Sequence, residues 1–343
     1  MSLNKRLINT FAGGGGGSVT GVAYVASYTS DSITSFNIDT PSNITELNNY
    51  VSANLNGAWD VAIDLPNNVA YVTSVIANSI TAIDISDPSN LSEISTFTNA
   101  NLNYPASIKL DLANQVAYTV NSNSQNIVSV DISNPSSMAF LGAFTDSTMT
   151  GATKLDIDVA NQVAYVICSY FAGNLVSIDI SNPSSMSRIG STSAINRKGI
   201  ALDLVNQRAY LTTSNQISCF DISNPSSMTD IGSISGGNMS AVEAIALDTT
   251  NNVAYVASYG NDRIISFNIS NPSSISELGF YTNSSILDGI FGIALDLVNQ
   301  VAYVTSRFSQ SITSISISNP SNMFDLDSYT TTNLNFVRNI ALS

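Results

Sequence analysis

Lys109 and Asp156 interrupt a position that is otherwise a repeating small side chain, and Asp60 and Lys154 stand two positions earlier in their own repeats. A carboxylate beside a lysine can pass a proton, and two carboxylates at a suitable separation can cleave a glycosidic bond. The same four residues can instead form an ion-pair network, because charges withdrawn from water are kept only when paired. Carboxylates can also ligate calcium. The chain has no histidine, the side chain that most often titrates near neutrality and ligates transition metals. Any catalysis therefore rests on carboxylates, lysine, tyrosine or a hard cation. Cys168 and Cys219 lack the spacing of a zinc or redox motif and read as two buried thiols. No metal site or cofactor is expected; a structural calcium is the one alternative left open.

A second set of residues suits binding. Trp59, the single tryptophan, Tyr104, Tyr170, Phe171, Phe291 and Phe308 fall in segments that also hold Arg197, Lys198, Arg263, Arg307 and Arg338. Exposed aromatics beside arginine are the composition of binding hot spots and of platforms on which sugar rings stack. The alternative is that such aromatics only plug gaps between packed units.

The elements that position these residues repeat. An "AY" pair recurs at Tyr24, Tyr71, Tyr118, Tyr165, Tyr210, Tyr255 and Tyr303, with separations of 47, 47, 47, 45, 45 and 48 residues. An aspartate stands seven residues before six of these tyrosines, at Asp64, Asp111, Asp158, Asp203, Asp248 and Asp296. A proline in "NPSS"-like turns follows in the same phase, from Pro41 to Pro320. Each unit reads as four short strands rich in Val, Ile, Phe and Tyr, separated by Asn, Asp, Gly, Pro and Ser. In the unit around Tyr255 these are "AIALDT", "NVAYVAS", "RIISFNIS" and "ISELGFY". Four strands in a unit of this length predict an all-β fold, a β-propeller of four-stranded blades. The chain ends on "RNIALS", a copy of the first strand without a second, and its first "VAYV" has no first strand before it. The C-terminal strand is thus expected to complete the N-terminal blade, closing a ring of seven.

That geometry sorts the residues. The repeated aspartates read as turn formers whose carboxylates accept backbone N–H groups, and the Asn-Pro turns likewise. The loops between second and third strands, and between one blade's fourth strand and the next blade's first, should share a face. Five residues before each repeat aspartate, or its equivalent Ser343, lies one inner-rim position per blade: Trp59, Ala106, Thr153, Lys198, Glu243, Phe291 and Arg338. Three residues further on, the channel wall reads Ala62, Lys109, Asp156, Ala201, Ala246, Ala294 and Ala341.

The strings "NSITAIDISDPSN", "NIVSVDISNPSSM" and "NLVSIDISNPSSM" resemble the LVIVD-repeat propellers, and "NNVAYVTS" is similar to the YVTN propeller repeat. The resemblance spans about residues 20–343 and implies the fold; it is not tied to one activity. The opening "MSLNKRLINTFAGGGGG" resembles the start of structural proteins from marine tailed phages. That resemblance implies an anchoring segment at Lys5, Arg6, Leu7 and Ile8 and a place on a virion. The expected domains are residues 1–17, an anchor with a glycine linker, and 18–343, the propeller.

Eleven basic against 25 acidic residues give a net charge of −14, which argues against nucleic acid and against an anionic membrane as partners, since both need clustered Lys and Arg. The N-terminal apolar run is too short and interrupted for a secretory signal, and no stretch approaches the ~20 apolar residues that span a bilayer. The reading is a non-enzymatic binding or structural module on a virion, touching a host surface glycan or another virion protein through its variable loops. The alternatives are a polysaccharide-degrading enzyme using Asp60, Lys109, Lys154 or Asp156, and an intracellular interaction scaffold; extracellular and cytoplasmic settings are the alternative locations.

Overall fold

Alternation of apolar side chains along short strands buries both faces of each four-stranded sheet, so the sheets stack on one another around a ring instead of pairing into a sandwich. The computed structural model describes residues 21–169, 173–194 and 197–343. Among them, 28 strands form seven antiparallel four-stranded sheets, the blades. The innermost strands of blades 2 to 7 are Ala58–Asp64, Pro105–Asp111, Ala152–Asp158, Gly199–Asp203, Val242–Asp248 and Ile290–Asp296. The innermost strand of blade 1 comes from the other end of the chain: Val337–Leu342 pairs antiparallel with Val22–Ser27, placing Ala341 opposite Tyr24. The predicted all-β, seven-bladed ring and its closure by the C-terminal strand are thus observed. The anchoring residues Lys5, Arg6, Leu7 and Ile8, and the loop residues Tyr170 and Phe171, lie outside the described residues.

The repeat markers have physical roles. All seven repeat tyrosines are buried to 1% exposure or less. Five reach across an interface to a backbone carbonyl of the next blade: Tyr71 donates to Ile132, Tyr118 to Ile180, Tyr165 to Ile222, Tyr210 to Ile269 and Tyr303 to Ile38, at 3.2–3.5 Å. A serine hydroxyl donates to a turn-proline carbonyl of the neighbouring blade at six interfaces, at 2.5–2.7 Å. Blade 2 has Ala82 where the usual serine would stand, and Ser95 on the next strand takes over the bond to Pro135. Each such bond contributes about 1 kcal/mol, and their recurrence explains why the Tyr and Pro phases coincide.

The repeat aspartates are turn formers, as expected. Asp64, Asp111, Asp158, Asp203, Asp248 and Asp296 each accept from the backbone and side-chain amides of an asparagine three residues on. The next residue is left-handed in every case, for example Gln115 at φ 54° and Asn252 at φ 55°. Where it is glutamine, as at Gln115, Gln162, Gln207 and Gln300, the side-chain amide donates to the carbonyl three residues back at 2.6–2.7 Å, which offsets the backbone cost. Cys168 and Cys219 are buried thiols.

Candidate functional site

Six of the seven inner strands carry one extra residue near their start. In blade 2, Ala58 pairs with Ser74 and Asp60 with Thr73, which leaves Trp59 between them without a partner. The same slip isolates Ala106, Thr153, Glu243, Phe291 and Arg338. In blade 5 the strand begins at Gly199, and Lys198 just before it donates its amide to the Thr212 carbonyl at 2.8 Å. These are the seven inner-rim positions read from the repeat. A bulge re-aims its side chain out of the pleat, so these positions are directed to the mouth of the central channel, except Ala106, which is buried. Threonine hydroxyls on the second strand hold the distorted backbone at Asp60, Gly199 and Gly292, accepting their amides at 2.9–3.2 Å.

The ring of bulge residues has two unlike halves. Across blades 7, 1 and 2 it stacks: the Arg338 guanidinium lies 3.7 Å from the Trp59 ring and 5.1 Å from Phe291. Arg307 lies 4.0 Å from Phe291 and 4.4 Å from Phe336. Trp59 meets Tyr28 and Tyr104 edge-on at 5.8 and 5.4 Å, and Phe308 meets Phe336 at 6.3 Å. Tyr259 joins the group through Arg307 and Phe308. Most of these rings are half-buried, and Phe308 is 54% exposed. Across blades 4, 5 and 6 the ring is polar: Thr153 shares a hydrogen bond with Ser169 at 2.8 Å, and Lys198 lies 3.9 Å from Glu243. Burial raises the Glu243 pKa, with Lys198, Arg307 and Lys154 pulling against that shift.

Tyr104 and Phe336 were not placed by loop length alone. Two residues before the bulge the backbone turns left-handed, and three blades use glycine there: Gly57, Gly151 and Gly289. Tyr104 and Phe336 occupy the equivalent places at φ 62° and 60°. A side chain in that conformation costs about 1 kcal/mol relative to glycine, and strain of this kind concentrates where a side chain is needed. Phe336, Tyr28 and Tyr259 are the members of the cluster that sequence reasoning missed. The signal for Phe336 was an aromatic standing in a glycine position; Tyr28 and Tyr259 each follow a repeat tyrosine by four residues.

Below the ring, a cavity of about 270 Å³ is lined by Asp60, Lys109, Lys154, Glu243 and Asn339 among others. Lys109 pairs with Asp156 at 3.1 Å and Lys154 with Asp60 at 3.9 Å. The Asp156 carboxylate raises the Lys109 pKa, with a smaller contribution from Asp60, against the opposing effect of burial. Both aspartates also cross blade boundaries. Asp60 accepts the Ile108 amide of blade 3 at 3.1 Å and the Asn339 side-chain amide of blade 1, and Asp156 accepts the Leu202 amide of blade 5 at 3.2 Å. The carboxylates are thus committed to ion pairs and backbone donors that staple the inner strands together. Among the described residues no three Cys, Asp or Glu side chains gather as a metal-binding group.

Of the loop residues expected to form a binding face, the structure brings together Trp59, Tyr104, Phe291, Arg307, Phe308 and Arg338, with Lys198 on the opposite side of the ring. Two arginines lie elsewhere. Arg197 is 6% exposed: its guanidinium donates to the Ser218 hydroxyl at 2.9 Å and packs 5.6 Å from Phe220, inside a blade interface. Arg263 turns outward, stacking 4.6 Å from Phe280 on an outer strand.

The fold and this site define a seven-bladed β-propeller with an asymmetric channel mouth. The chain belongs to the LVIVD-repeat family, whose repeat matches residues 57–99, 117–146, 156–193, 209–235 and 247–283. No curated protein matches it. Among solved structures it is similar to a protein from Lactobacillus plantarum, with a TM-score of 0.77, 14% identity and coverage of 94% of this chain and 99% of that one. It is also similar to a periplasmic gluconolactonase of Pseudomonas aeruginosa, at TM-score 0.79, 10% identity and 94% and 98% coverage. A third likeness is to a candidate 6-phosphogluconolactonase of Bacteroides fragilis, at TM-score 0.76, 11% identity and 94% and 98% coverage. At these identities the likeness is one of fold.

The lactonases correct one expectation, that the chain is a non-enzymatic module: the same fold is found in enzymes. Residues that meet at a propeller mouth come from successive blades, some 45 to 48 positions apart in this chain. A functional set assembled in that way leaves no contiguous motif to be read along the chain.

Proposed function

We propose that the channel mouth recognises a carbohydrate. The observation that carries this reading is the division of the bulge ring into a stacking half, with Trp59 and Phe291, and a polar half, with Thr153, Lys198 and Glu243. A sugar ring has the same division: its C–H face packs on aromatic rings while its hydroxyls seek donors and acceptors. The strained placement of Tyr104 and Phe336 beside the stacking half supports the reading. Trp59 is the single tryptophan, so its fluorescence reports occupancy of the site directly. Titration with defined oligosaccharides is expected to shift or quench that emission, and Phe291→Ala to weaken the response while the melting curve stays cooperative. If no oligosaccharide perturbs Trp59, the reading fails.

Hydrolysis of a sugar lactone at the same mouth is a second reading, favoured by Glu243. Its carboxyl has a pKa raised by burial and lies beside Lys198, an arrangement suited to moving a proton to or from water or a leaving oxygen. Turnover of a gluconolactone above the spontaneous rate, lost in Glu243→Gln, would establish it; a rate equal to buffer dismisses it. The setting we propose is a virion, with residues 1–17 joining another virion structural protein and the mouth turned to a host surface glycan. The resemblance of the opening segment supports this, and so does geometry: Val22 is at the end of its strand opposite Ser27 and the mouth residue Tyr28. Absence of the chain from purified particles would refute that setting.

A further inference from the structure

We infer that the carbohydrate taken by the channel mouth is an acidic one, a sugar bearing a carboxylate or sulfate group; this rests on the carbohydrate reading above and specifies its ligand class. Five cations, Lys109, Lys154, Lys198, Arg307 and Arg338, meet three carboxylates, Asp60, Asp156 and Glu243, at the mouth and the cavity beneath it. Among these inner groups the positive charges exceed the negative by two, in a chain whose net charge is −14; the surrounding loops of the same face add Asp31, Asp146, Asp262 and Asp288, three of which accept backbone amides. The opposite face has the reverse balance: its turns contain twelve aspartates and one basic residue, Arg208. Concentrated charge of one sign in a concave, partly dry site draws in the opposite charge.

The surplus sits on two particular groups. The three lysines have carboxylate partners. Neither Arg307 nor Arg338 forms an ion pair within 4 Å among the described residues, Glu243 reaching Arg307 only at longer range, and the Nε of each is buried without a hydrogen-bond partner. Burial lowers the Arg307 pKa, a sign that its charge is held at a cost, with Tyr259 the partner that most offsets it. Aromatic rings cover the faces of both guanidiniums. Stacking uses the faces and leaves the in-plane N–H donors, which match the paired oxygens of a carboxylate or sulfate. A ligand that stacked on Trp59 would carry its acid group to these donors, because the Arg338 guanidinium is itself 3.7 Å from that ring.

The test uses the intact protein and three oligosaccharides of equal length: a neutral glucan, an oligouronate and a sulfated galactan. Calorimetric titration is expected to give at least one acidic ligand about ten- to a hundred-fold tighter than the neutral one, the range for one or two charge-assisted hydrogen bonds. The uronate and sulfate arms distinguish the two acid groups. Arg338→Gln should remove most of the preference, read as the ratio of acidic to neutral affinity, and Arg338→Lys should retain part of it. Because loss of an arginine can also disturb the aromatic cluster, ionic strength gives a second measure on the unaltered protein. Added salt should weaken acidic-ligand binding and leave neutral binding unchanged. Equal affinity for neutral and acidic ligands, or binding indifferent to salt, overturns the inference and leaves the carbohydrate reading standing. Binding of none of the three overturns both.

Discussion

Replacing Asp60 by alanine separates a structural staple from a reacting group. Asp60 is 3% exposed, and its carboxylate accepts the Ile108 amide from blade 3, its neighbour Val61's amide and the Asn339 side chain from blade 1, while Lys154 of blade 4 lies 3.9 Å away. Its removal strands the buried Ile108 N–H, at about 1–3 kcal/mol. It also leaves Lys154, whose side chain is 23% exposed, without its counter-charge. Breaking one side of a buried pair costs about 3–5 kcal/mol in total, a large fraction of an ordinary stability of about 5–15 kcal/mol. Equilibrium urea unfolding of Asp60→Ala, Lys154→Met and the double variant gives the measurement, with Cm and m read separately. The double variant is expected to recover part of the loss of Asp60→Ala, since it no longer holds an unpaired cation. An Asp60→Ala protein within about 0.5 kcal/mol of the parent, or strictly additive losses, would refute the stapling argument.

Glu243 should impose a pH dependence. Its folded pKa is raised by burial, so the folded state holds the proton more tightly than the unfolded one. Its contribution to stability is complete below the ordinary glutamate range and is lost as pH rises through the raised value. Acidic-ligand affinity should fall over the same window as a repelling carboxylate appears, and Glu243→Gln should flatten both profiles. Truncating Trp59 to alanine should weaken oligosaccharide binding by about five- to thirty-fold, the value of about 1–2 kcal/mol of stacking, as seen by calorimetry. Tyr118→Phe removes a hydroxyl that donates to the Ile180 carbonyl at 3.2 Å and should lower stability by about 1 kcal/mol in denaturant titration. Cys168 and Cys219 have thiol pKa values pushed up by burial, to about 12 and about 11; a thiol reagent should modify neither until the protein unfolds.

What the sequence determined by itself was whatever recurs. Tyr118, Asp111 and Pro135 are copies of residues found in the other blades; all six aspartates make the same turn, and most of the tyrosines and prolines make the same inter-blade bond. Their phase sufficed for strand count, blade number and closure by residues 337–342. It also located Trp59, Glu243, Phe291 and Arg338 on one rim, because a fixed offset from Asp64 and its counterparts is a fixed height in the blade. The tertiary structure decided what those rim residues face. Arg197 and Arg338 look alike in sequence, yet one is packed inside a blade interface and the other lies on Trp59. Side-chain direction at the rim depends on the one-residue bulge and on the left-handed turn before it, which local composition does not reveal when Tyr104 or Phe336 stands in for glycine. The balance of charge at the mouth was likewise invisible along the chain, since Lys109, Arg307 and Glu243 meet only when the ring closes.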